Sequence, residues 1–341
     1  MYKIILDTMG GDNSPFAQVE GAVMAVNADE NLQVVLVGKE EELKKVLSGY
    51  KYNENQISFL NADDVITNDD IPTTAIKNKS DSSLVKALNE VRLNDDAAAF
   101  VSTGSTGAVL TGGFLKIGRI KGVSRPGLCP ILPTKTGGIV ALCDSGANMD
   151  CKPINLVHFA VMASAYMESV YGIKNPRVGL LSVGTEDHKG NDLTKQVFTL
   201  LKEQDGLNFV GNMEARDMLS GKYDVIVADA FAGNVALKSA EGAILTVLDL
   251  LKEGIKSSFS SKIGYLFMKK TFKKLKKTLD YNNKGGAVLL GCKKIIVKGH
   301  GSSKAKSVSE CIKQAVLMYK ADVCSVIEEK IKDVKVEEVN D

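Results

Sequence analysis

The sequence has no tryptophan, and it lacks the motifs that usually bind metal ions. Its three histidines form no H-E-x-x-H motif and its six cysteines include no C-x-x-C pair, so the usual spacings of zinc ligands are missing. We therefore predict no metal site. Cysteines without such a framework are typical of a reducing compartment, and we predict a cytoplasmic protein with free thiols.

Neither sign of charge dominates. Lysine and arginine total 43 against 41 acidic residues, a formal net charge of +2, so we predict that nucleic acid is not a partner. Long apolar runs are also missing. The N-terminal MYKIILDTMGGD is too short for the apolar core of a signal peptide, and no run approaches the roughly 18 residues of a membrane span.

The common nucleotide-binding motifs are absent as well. No G-x-G-x-x-G follows a predicted strand and no G-x-x-x-x-G-K-[ST] occurs, which excludes the dinucleotide fingerprint and the P-loop. The serine-nucleophile motif G-x-S-x-G is missing too, since GSTG at 104–107 is one residue short of it. The sequence thus disfavours a serine nucleophile, and we predict no cofactor.

Short aliphatic runs alternate with stretches of helical periodicity. The runs lie at 2–6, 33–38, 97–101, 137–143, 177–182 and 223–228, and the main helical stretches at 15–29, 83–93, 152–172 and 234–254. This alternation predicts an α/β fold, a three-layer α/β/α architecture with a mostly parallel sheet covered on both faces. We predict a single domain over residues 1–333 and a charged tail at 334–341.

The loops after the predicted strands share one composition of glycine, small hydroxyl residues, Asp and Asn. They are Asp7 with MGGDNSP, STGSTG at 102–107, Asp144 in DSGAN, VGTEDHKGN, Asp229 in DAFAGN, and GHGSS after a later strand, KKIIVK. Ligands of open α/β sheets bind outside the carboxyl ends of the strands. Glycine permits close backbone approach, and hydroxyl and N–H groups bind anions. The loops together predict an anion-binding site.

A structural explanation competes with this one, because Ser, Thr, Asn and Asp are good helix caps and glycine is common in turns. For any single loop it is the better explanation, and only the convergence of several loops on one edge favours binding. The candidate substrate- and phosphate-binding residues are Asp7, Gly10, Gly11, Asp12, Ser102, Thr103, Gly104, Ser105, Thr106, Asp144, Asn148, Asn191, His300, Ser302 and Ser303.

Lysine suits a phosphate or a developing oxyanion, and Lys189 in TEDHKGN is the strongest candidate for such a role. His300 lies between two glycines and precedes two serines, which makes it the histidine best placed for a site. Lys152 and Lys238 fit a binding site and a solvated surface equally well.

Many of these motifs occur in the order typical of one family. They are DTMGGDNSP, KSDSSL, STGSTGA, RPG, DSGANMDCKP, GLLSVGTEDHKGN, DVIVADAFAGNVALKSAEG, GGAVLLG and GHGSS, from Asp7 to about Ser303. On these residues the sequence resembles the phosphate acyltransferases. It departs from their pattern at DTMGGD (usually DAMGGD), at TEDHKGN, at Lys284 in place of an aromatic residue and at Val288 in place of proline, which affects loop packing more than chemistry.

The resemblance implies transfer of an acyl group from acyl-acyl-carrier protein to inorganic phosphate, giving acyl phosphate for phospholipid synthesis. Phosphate is itself a nucleophile, so the implied mechanism is direct attack on the thioester without a covalent enzyme intermediate. Lys189 and Asn234 are the implied oxyanion donors. Asp229 would orient Lys189 or accept a proton from phosphate. The family is similar in fold to phosphotransacetylases and to the isocitrate dehydrogenase group.

One segment, residues 252–282, is predicted to form a basic amphipathic helical hairpin. Nine lysines and two acidic residues lie between 252 and 280, with apolar residues among them at helical spacing. This pattern indicates an interfacial helix on anionic lipid, with Phe259, Ile263, Leu266 and Phe267 facing the membrane. Packing at a dimer interface and reception of the acidic carrier protein are the alternatives.

The resemblance favours a homodimer that presents this hairpin to the membrane. It also implies a downstream partner, the membrane glycerol-phosphate acyltransferase that consumes acyl phosphate. Two other functions stay open at this stage. One is an NAD-dependent dehydrogenase of the isocitrate or isopropylmalate type on the same fold, and the other is a noncatalytic membrane scaffold, which leaves the polar loops unexplained.

Overall fold

The computed structural model describes residues 1–279 and 285–335. Twelve strands occur in these residues. They are β1 (Tyr2–Asp7), β2 (Leu32–Gly38), β3 (Ile57–Asn61), β4 (Ala97–Ser102), β5 (Gly127–Cys129), β6 (Ile131–Pro133), β7 (Ile139–Cys143), β8 (Val178–Ser182), β9 (Phe209–Glu214), β10 (Val225–Val227), β11 (Ala287–Leu290) and β12 (Ile295–Lys298).

Eleven α-helices connect or flank these strands within the same ranges. They are α1 (Phe16–Val26), α2 (Glu40–Leu47), α3 (Pro72–Asn78), α4 (Ser83–Leu93), α5 (Thr106–Gly112), α6 (Pro153–Tyr171), α7 (Asp192–Glu203), α8 (Ala230–Lys256), α9 (Phe259–Leu279), α10 (Ala305–Lys320) and α11 (Val323–Ile331). A π-turn at Gly113–Ile117 continues α5, and 3-10 turns lie at Glu54–Gln56 and Ala215–Asp217.

The first sheet has seven strands in the order β3-β2-β1-β4-β12-β11-β5. Its first five strands are parallel, and β11 and β5 are antiparallel to their neighbours. In register, Ser102 pairs with Asp7 on one side and with Lys298 on the other. The polar side chains of Asp7, Ser102 and Lys298 therefore lie at the same level, at the carboxyl ends of three adjacent strands.

The second sheet has five strands in the order β6-β7-β10-β8-β9, parallel except for the edge strand β6. The chain passes from one sheet to the other at Pro130, between β5 and β6. Helix α6 is buried along most of its length, from Ile154 to Met167, and contacts both β7 and β10 as well as α10 and α11. One hydrophobic core cluster includes residues of both sheets and of α6.

The predicted α/β class with mostly parallel strands is confirmed, and each predicted run and helical stretch forms its element. The strands are divided between two sheets, whereas the sequence indicated one. The single domain over 1–333 stays a prediction. Of the predicted tail at 334–341, Val334 packs against the core, and 336–341 lie outside the described residues.

Helices α8 and α9 form a hairpin whose connection is Ser257 and Ser258. Only Ala230, Gly233 and Leu237 of α8 are buried, so most of this 27-residue helix projects from the body. The predicted segment 252–282 therefore contains only the second arm and the last turn of the first, and its residues 280–282 lie outside the described residues. No helix in the described ranges is long and apolar enough to cross a membrane.

Candidate active site

Asp7 connects the first two polar loops, those after β1 and β4, through hydrogen bonds to its carboxylate. Its buried carboxylate accepts hydrogen bonds from Ser83 Oγ (2.6 Å), Ser102 Oγ (2.7 Å) and the Met9 N–H (3.3 Å). Burial raises the pKa of Asp7, and the hydrogen bonds from Ser83 and Ser102 oppose that rise. Because protein donors occupy both oxygens, Asp7 positions the loops after β1 and β4.

The MGGD and STGSTG loops are in direct contact. Thr103 Oγ1 donates to the Gly10 carbonyl at 2.6 Å, and Gln18 Nε2 donates to the same carbonyl at 2.7 Å. A Cβ atom on Gly10 would lie 2.6 Å from Gly104 Cα, closer than any real contact. Glycine at position 10 is therefore required for the two loops to touch.

The GHGSS loop after β12 completes this group. The Asp12 N–H donates to the Gly301 carbonyl at 2.9 Å, and Asn13 Nδ2 donates to the Ser302 and Ser303 carbonyls. His300 Nδ1 lies 2.8 Å from Ser302 Oγ and also accepts the Ser302 N–H. The predicted convergence of the loops after β1, β4 and β12 is thus present in the structure.

In the second sheet, Asp144 is the centre of a saturated hydrogen-bond cluster. Its carboxylate accepts the N–H groups of Leu128, Gly146, Ala147 and Asn148, together with Asn148 Nδ2 at 2.7 Å. Burial raises the pKa of Asp144 and these bonds oppose the rise. Asp144 and Asn148 therefore hold the DSGAN loop in shape, and they are placed to position neighbouring residues.

Two predicted residues serve as helix caps. The Asp229 carboxylate accepts the Ala232 N–H at 2.8 Å at the start of α8, and Asn191 Oδ1 accepts the Thr194 N–H at 2.9 Å at the start of α7. The STGSTG loop does not cap the helix that follows it through a side chain. Ser105 precedes α5 without a side-chain cap bond, while Ser102 and Thr103 bond to the neighbouring loop.

A cleft of about 280 Å³ opens where loops of the two sheets meet, and we name it the polar cleft. Its polar lining includes Thr106, Asn234, Lys238, Glu241, Lys298, His300 and Ser303. Asn234 comes from α8 of the second sheet, whereas Lys298, His300 and Ser303 follow or end β12 of the first. The structure therefore brings four predicted residues (Thr106, Asn234, His300, Ser303) into one cleft.

Three cationic or basic side chains line the polar cleft. Lys238 Nζ lies 2.6 Å from the Glu241 carboxylate. Burial, assisted by the nearby Lys238, lowers the pKa of His300, so its imidazole is neutral at pH 7. Lys298 is 7% exposed and its ammonium donates to the Gly299 carbonyl. Lys298 is not among the predicted site residues, and its one signal in the sequence is a lysine at the last position of an otherwise apolar strand.

The opposite face of α8 lines a second cleft of about 750 Å³, which we name the apolar cleft. Aliphatic and small side chains dominate its lining, among them Leu181, Val235, Ala236 and Ile244. Asp229 and Asn191 lie on its wall. The first half of α8 thus separates a polar cleft from an apolar one.

Lys189 lines neither cleft. It is exposed in the loop between β8 and α7, where its N–H donates to the Glu186 carbonyl at 3.0 Å. Gly10, Asp12, Ser102, Thr103 and Gly104 form the loop contacts described above, the Gly11 carbonyl accepts a hydrogen bond from Ser14 Oγ at 2.8 Å, and Ser302 supports His300. Four of the predicted residues thus line the polar cleft, and Lys189, Asn191 and Asp229 lie on the far side of α8.

Comparison with known proteins decides the family. A family model described as "Fatty acid synthesis protein" matches residues 2–326. A phosphate acyltransferase from Clostridium novyi (strain NT) is 46% identical over 330 residues, covering 97% of this chain and 98% of the relative. The chain belongs to the phosphate acyltransferase family. A second member, from Bacillus licheniformis, is 47% identical with the same coverage of both chains.

Solved phosphotransacetylase structures have a fold similar to that of this chain. A phosphotransacetylase from Streptococcus pyogenes superimposes with a TM-score of 0.56 at 16% identity, covering 97% of this chain and 94% of that one. One from Staphylococcus aureus gives a TM-score of 0.57 at 16% identity, covering 94% of each chain. The predicted likeness to phosphotransacetylases is confirmed at the level of fold.

Family membership makes the protein an acyltransferase. The predictions of an enzyme and of this family are confirmed. The two alternatives, a dehydrogenase and a noncatalytic scaffold, are not favoured by membership in a family of transferases. The individual roles of the site residues stay predictions.

Proposed function

We propose that the protein transfers a fatty acyl group from acyl-acyl-carrier protein to inorganic phosphate, giving acyl phosphate for phosphatidic acid and phospholipid synthesis. One observation carries the proposal: the polar cleft collects hydrogen-bond donors from both sheets, on the face of α8 opposite an apolar cleft. An acyl transfer to phosphate needs an anion site and space for a hydrocarbon chain. The two clefts supply one of each.

In the proposed reaction a phosphate oxygen attacks the thioester carbonyl carbon directly. The C–O bond forms, the C–S bond breaks, and the carrier thiolate leaves and takes up a proton. Donors that hold phosphate against the thioester lower the entropic cost of the encounter. Thr106, His300 and Ser303 in the polar cleft have this role, and the loops anchored by Asp7, Gly10, Gly11, Asp12, Ser102, Thr103 and Gly104 hold them in place.

We assign the tetrahedral oxyanion to Asn234 and Lys189 as donors. The Asn234 amide lines the polar cleft and has no hydrogen bond within residues 1–279 and 285–335. Lys189 is exposed in the loop between β8 and α7 and lines neither cleft, so its ammonium would reach the same oxyanion only from a donor that passes the first turn of α8. Asp229, at the start of α8 between these regions, orients Lys189 or accepts a proton from phosphate.

The apolar cleft is the proposed site of the acyl chain. Its volume, about 750 Å³, lies within the range of roughly 300–1,000 Å³ usual for ligand pockets. Burying hydrocarbon there contributes about 0.8 kcal/mol per CH₂ group. A long-chain donor is therefore favoured over a short one.

The hairpin of α8 and α9 is the proposed membrane contact. Phe259, Ile263, Leu266 and Phe267 are exposed, Phe267 to 86%, and lysines lie beside them. Apolar side chains with lysines bind anionic lipid weakly and reversibly. We propose a cytoplasmic, peripherally membrane-associated homodimer that passes acyl phosphate to a membrane glycerol-phosphate acyltransferase, with the lysines as a second candidate surface for the carrier protein.

Release of the carrier thiol tests this function. Purified protein is mixed with palmitoyl-acyl-carrier protein and inorganic phosphate, without added metal or nucleotide, and free thiol is followed against phosphate concentration. We expect saturable release that requires phosphate. A folded sample that binds liposomes and releases no thiol would support the scaffold, and NAD-dependent turnover with a divalent metal would support the dehydrogenase.

A further inference from the structure

Lys298 is the most buried charged side chain in the polar cleft. It ends β12, beside Ser102 in register, and is 7% exposed. Lysine is almost never this buried without a charged partner, because removing an ammonium from water is costly. Its Nζ donates a hydrogen bond to the Gly299 carbonyl. Within the part of the chain that the structure describes, Nζ makes no other hydrogen bond and no ion pair. Two of its three donors are thus free.

The charges around Lys298 do not neutralise it by contact. Asp7 and Asp12 attract the ammonium and Lys238 repels it. The Asp7 carboxylate, however, is taken up by Ser83, Ser102 and the Met9 N–H. Burial lowers the pKa of Lys298 to about 8, so the side chain is still mostly protonated at pH 7.

The surroundings of the free donors are those of an anion site. The Asn234 amide, His300 and the Ser303 hydroxyl line the same cleft, which also holds Lys238 with its charge paired to Glu241. An anion bound there would gain charge-assisted hydrogen bonds in a partly desolvated site.

We propose that Lys298 binds the inorganic phosphate that attacks the thioester, with its ammonium in contact with a phosphate oxygen. This inference rests on the proposed function and names a binding residue within its site. A structural role explains Lys298 less well, since an apolar side chain would fill the same space at the end of the strand without the cost of a buried charge.

Phosphate binding without any acyl donor tests the proposal. Inorganic phosphate is titrated into wild-type protein and Lys298→Met, and binding is followed by broadening of the ³¹P resonance. Methionine keeps the length and apolar stem of lysine, so the fold should survive, which thermal unfolding checks. We expect the phosphate Kd to rise roughly 10- to 100-fold, the usual worth of a hydrogen bond to a charged group. Unchanged binding would overturn the proposal.

The matched control is Lys294→Met, which removes a lysine just before the same strand. Lys294 Nζ lies 3.9 Å from the exposed Asp95 carboxylate and does not line the polar cleft. This variant should bind phosphate as the wild type does, and an equal loss would overturn the assignment to Lys298. If Lys298→Met does not fold, Lys298→Gln replaces it and is judged by the same phosphate Kd.

A second arm separates free phosphate from the phosphodiester on the carrier protein's prosthetic arm. Diethyl phosphate, a phosphodiester, should not compete with inorganic phosphate, and equal competition would overturn the assignment to the attacking phosphate. Because no acyl donor is present, the result is independent of turnover. Phosphate binding that depends on Lys298, found together with no thiol release, would refute the proposed function while leaving the binding site.

Discussion

Lys189, exposed in the loop between β8 and α7, is one of the two proposed donors to the oxyanion. We expect Lys189→Ala to lower kcat by roughly 10²–10³, the usual cost of losing one oxyanion donor. Its side chain is exposed, so thermal unfolding should not change. Lys195→Ala, on the exposed face of α7, is the matched control. Activity of Lys189→Ala within a few-fold of wild type would show that another group stabilises the oxyanion.

Lys298 shows what a sequence alone does not reveal. A lysine at the end of an apolar strand can be solvated or can bind a ligand, and only the register of β4 with β12 places it beside Ser102, directly before the GHGSS loop. Asp229 and Asn191 show the reverse case. The composition of their loops predicts ligand contacts or helix caps, and in the structure each side chain caps a helix.

The pKa of Lys298 predicts a pH dependence of phosphate use. Burial lowers this pKa to about 8, so the ammonium is lost as pH rises past that value. If only the protonated form binds, the KM for phosphate should rise about fivefold over the first full unit above the pKa and about tenfold for each further unit. Initial rates at several phosphate concentrations, from about pH 7 to pH 9.5, measure this.

The other groups that face Lys298 do not mimic this titration. The pKa of His300 is lowered and that of Cys311, on α10, is raised by burial to about 12, so neither changes charge in this range. Asp7, Asp12 and Glu241 contribute negative charge, and Lys238 is paired with Glu241. Lys298→Arg stays protonated throughout and should lose the rise in KM. A rise of equal size in that variant would contradict the role of Lys298.

At the scale of elements, the contact between the loops after β1 and β4 depends on glycine. In Gly10→Ala the new Cβ would lie 2.6 Å from Gly104 Cα, so the loops must separate. We expect a loss of roughly 1–3 kcal/mol in the free energy of unfolding, measured with urea. We also expect a higher KM for phosphate, because the loop that presents Thr106 moves.

The control for this loop contact is Gly49→Ala. Its Cβ would meet only the Val46 carbonyl oxygen at 3.6 Å, an ordinary distance, far along the chain from the site. We expect less than about 0.5 kcal/mol of change there, as for most surface substitutions. Equal stability of Gly10→Ala and Gly49→Ala would mean that the loops tolerate separation.

The hairpin of α8 and α9 carries the lipid prediction. The double variant Leu266→Glu and Phe267→Glu should reduce co-sedimentation with anionic liposomes at least tenfold, since each buried apolar side chain contributes about 1.5–3 kcal/mol. Thiol release in solution should be unaffected. Ser260→Glu with Thr271→Glu adds the same charge at exposed polar positions of α9 and should bind better than the first variant. Similar liposome binding by the two would remove the lipid-facing role.

Some strands could be located from the sequence and others could not, and the difference has a physical reason. Buried parallel strands such as β1, β2 and β4 are continuous apolar runs, and they could be located from the sequence. Strands β5 and β6 lie on either side of Pro130 and have three residues each. Segments this short show too little periodicity to indicate a strand. These two strands carry the chain from one sheet to the other, so the division into two sheets was not predictable.

At the scale of the whole molecule, the two sheets explain why the site residues are scattered along the chain. The polar cleft needs Thr106, Lys298 and His300 from the first sheet and Asn234 from the second. Helix α6, buried between elements of both sheets, connects the two halves through one core cluster. The motifs could be recognised from the sequence, and their distribution between two clefts required the structure.

In the proposed reaction phosphate attacks the thioester directly, without an acyl-enzyme. The measurement that tests it is exchange of the palmitoyl group between palmitoyl-acyl-carrier protein and isotopically labelled free carrier protein, with and without inorganic phosphate. Direct attack predicts exchange only when phosphate is present, through reversal of acyl phosphate formation. Exchange at the same rate in the absence of phosphate would mean that the acyl group moves without passing through acyl phosphate, and direct attack by phosphate would be refuted.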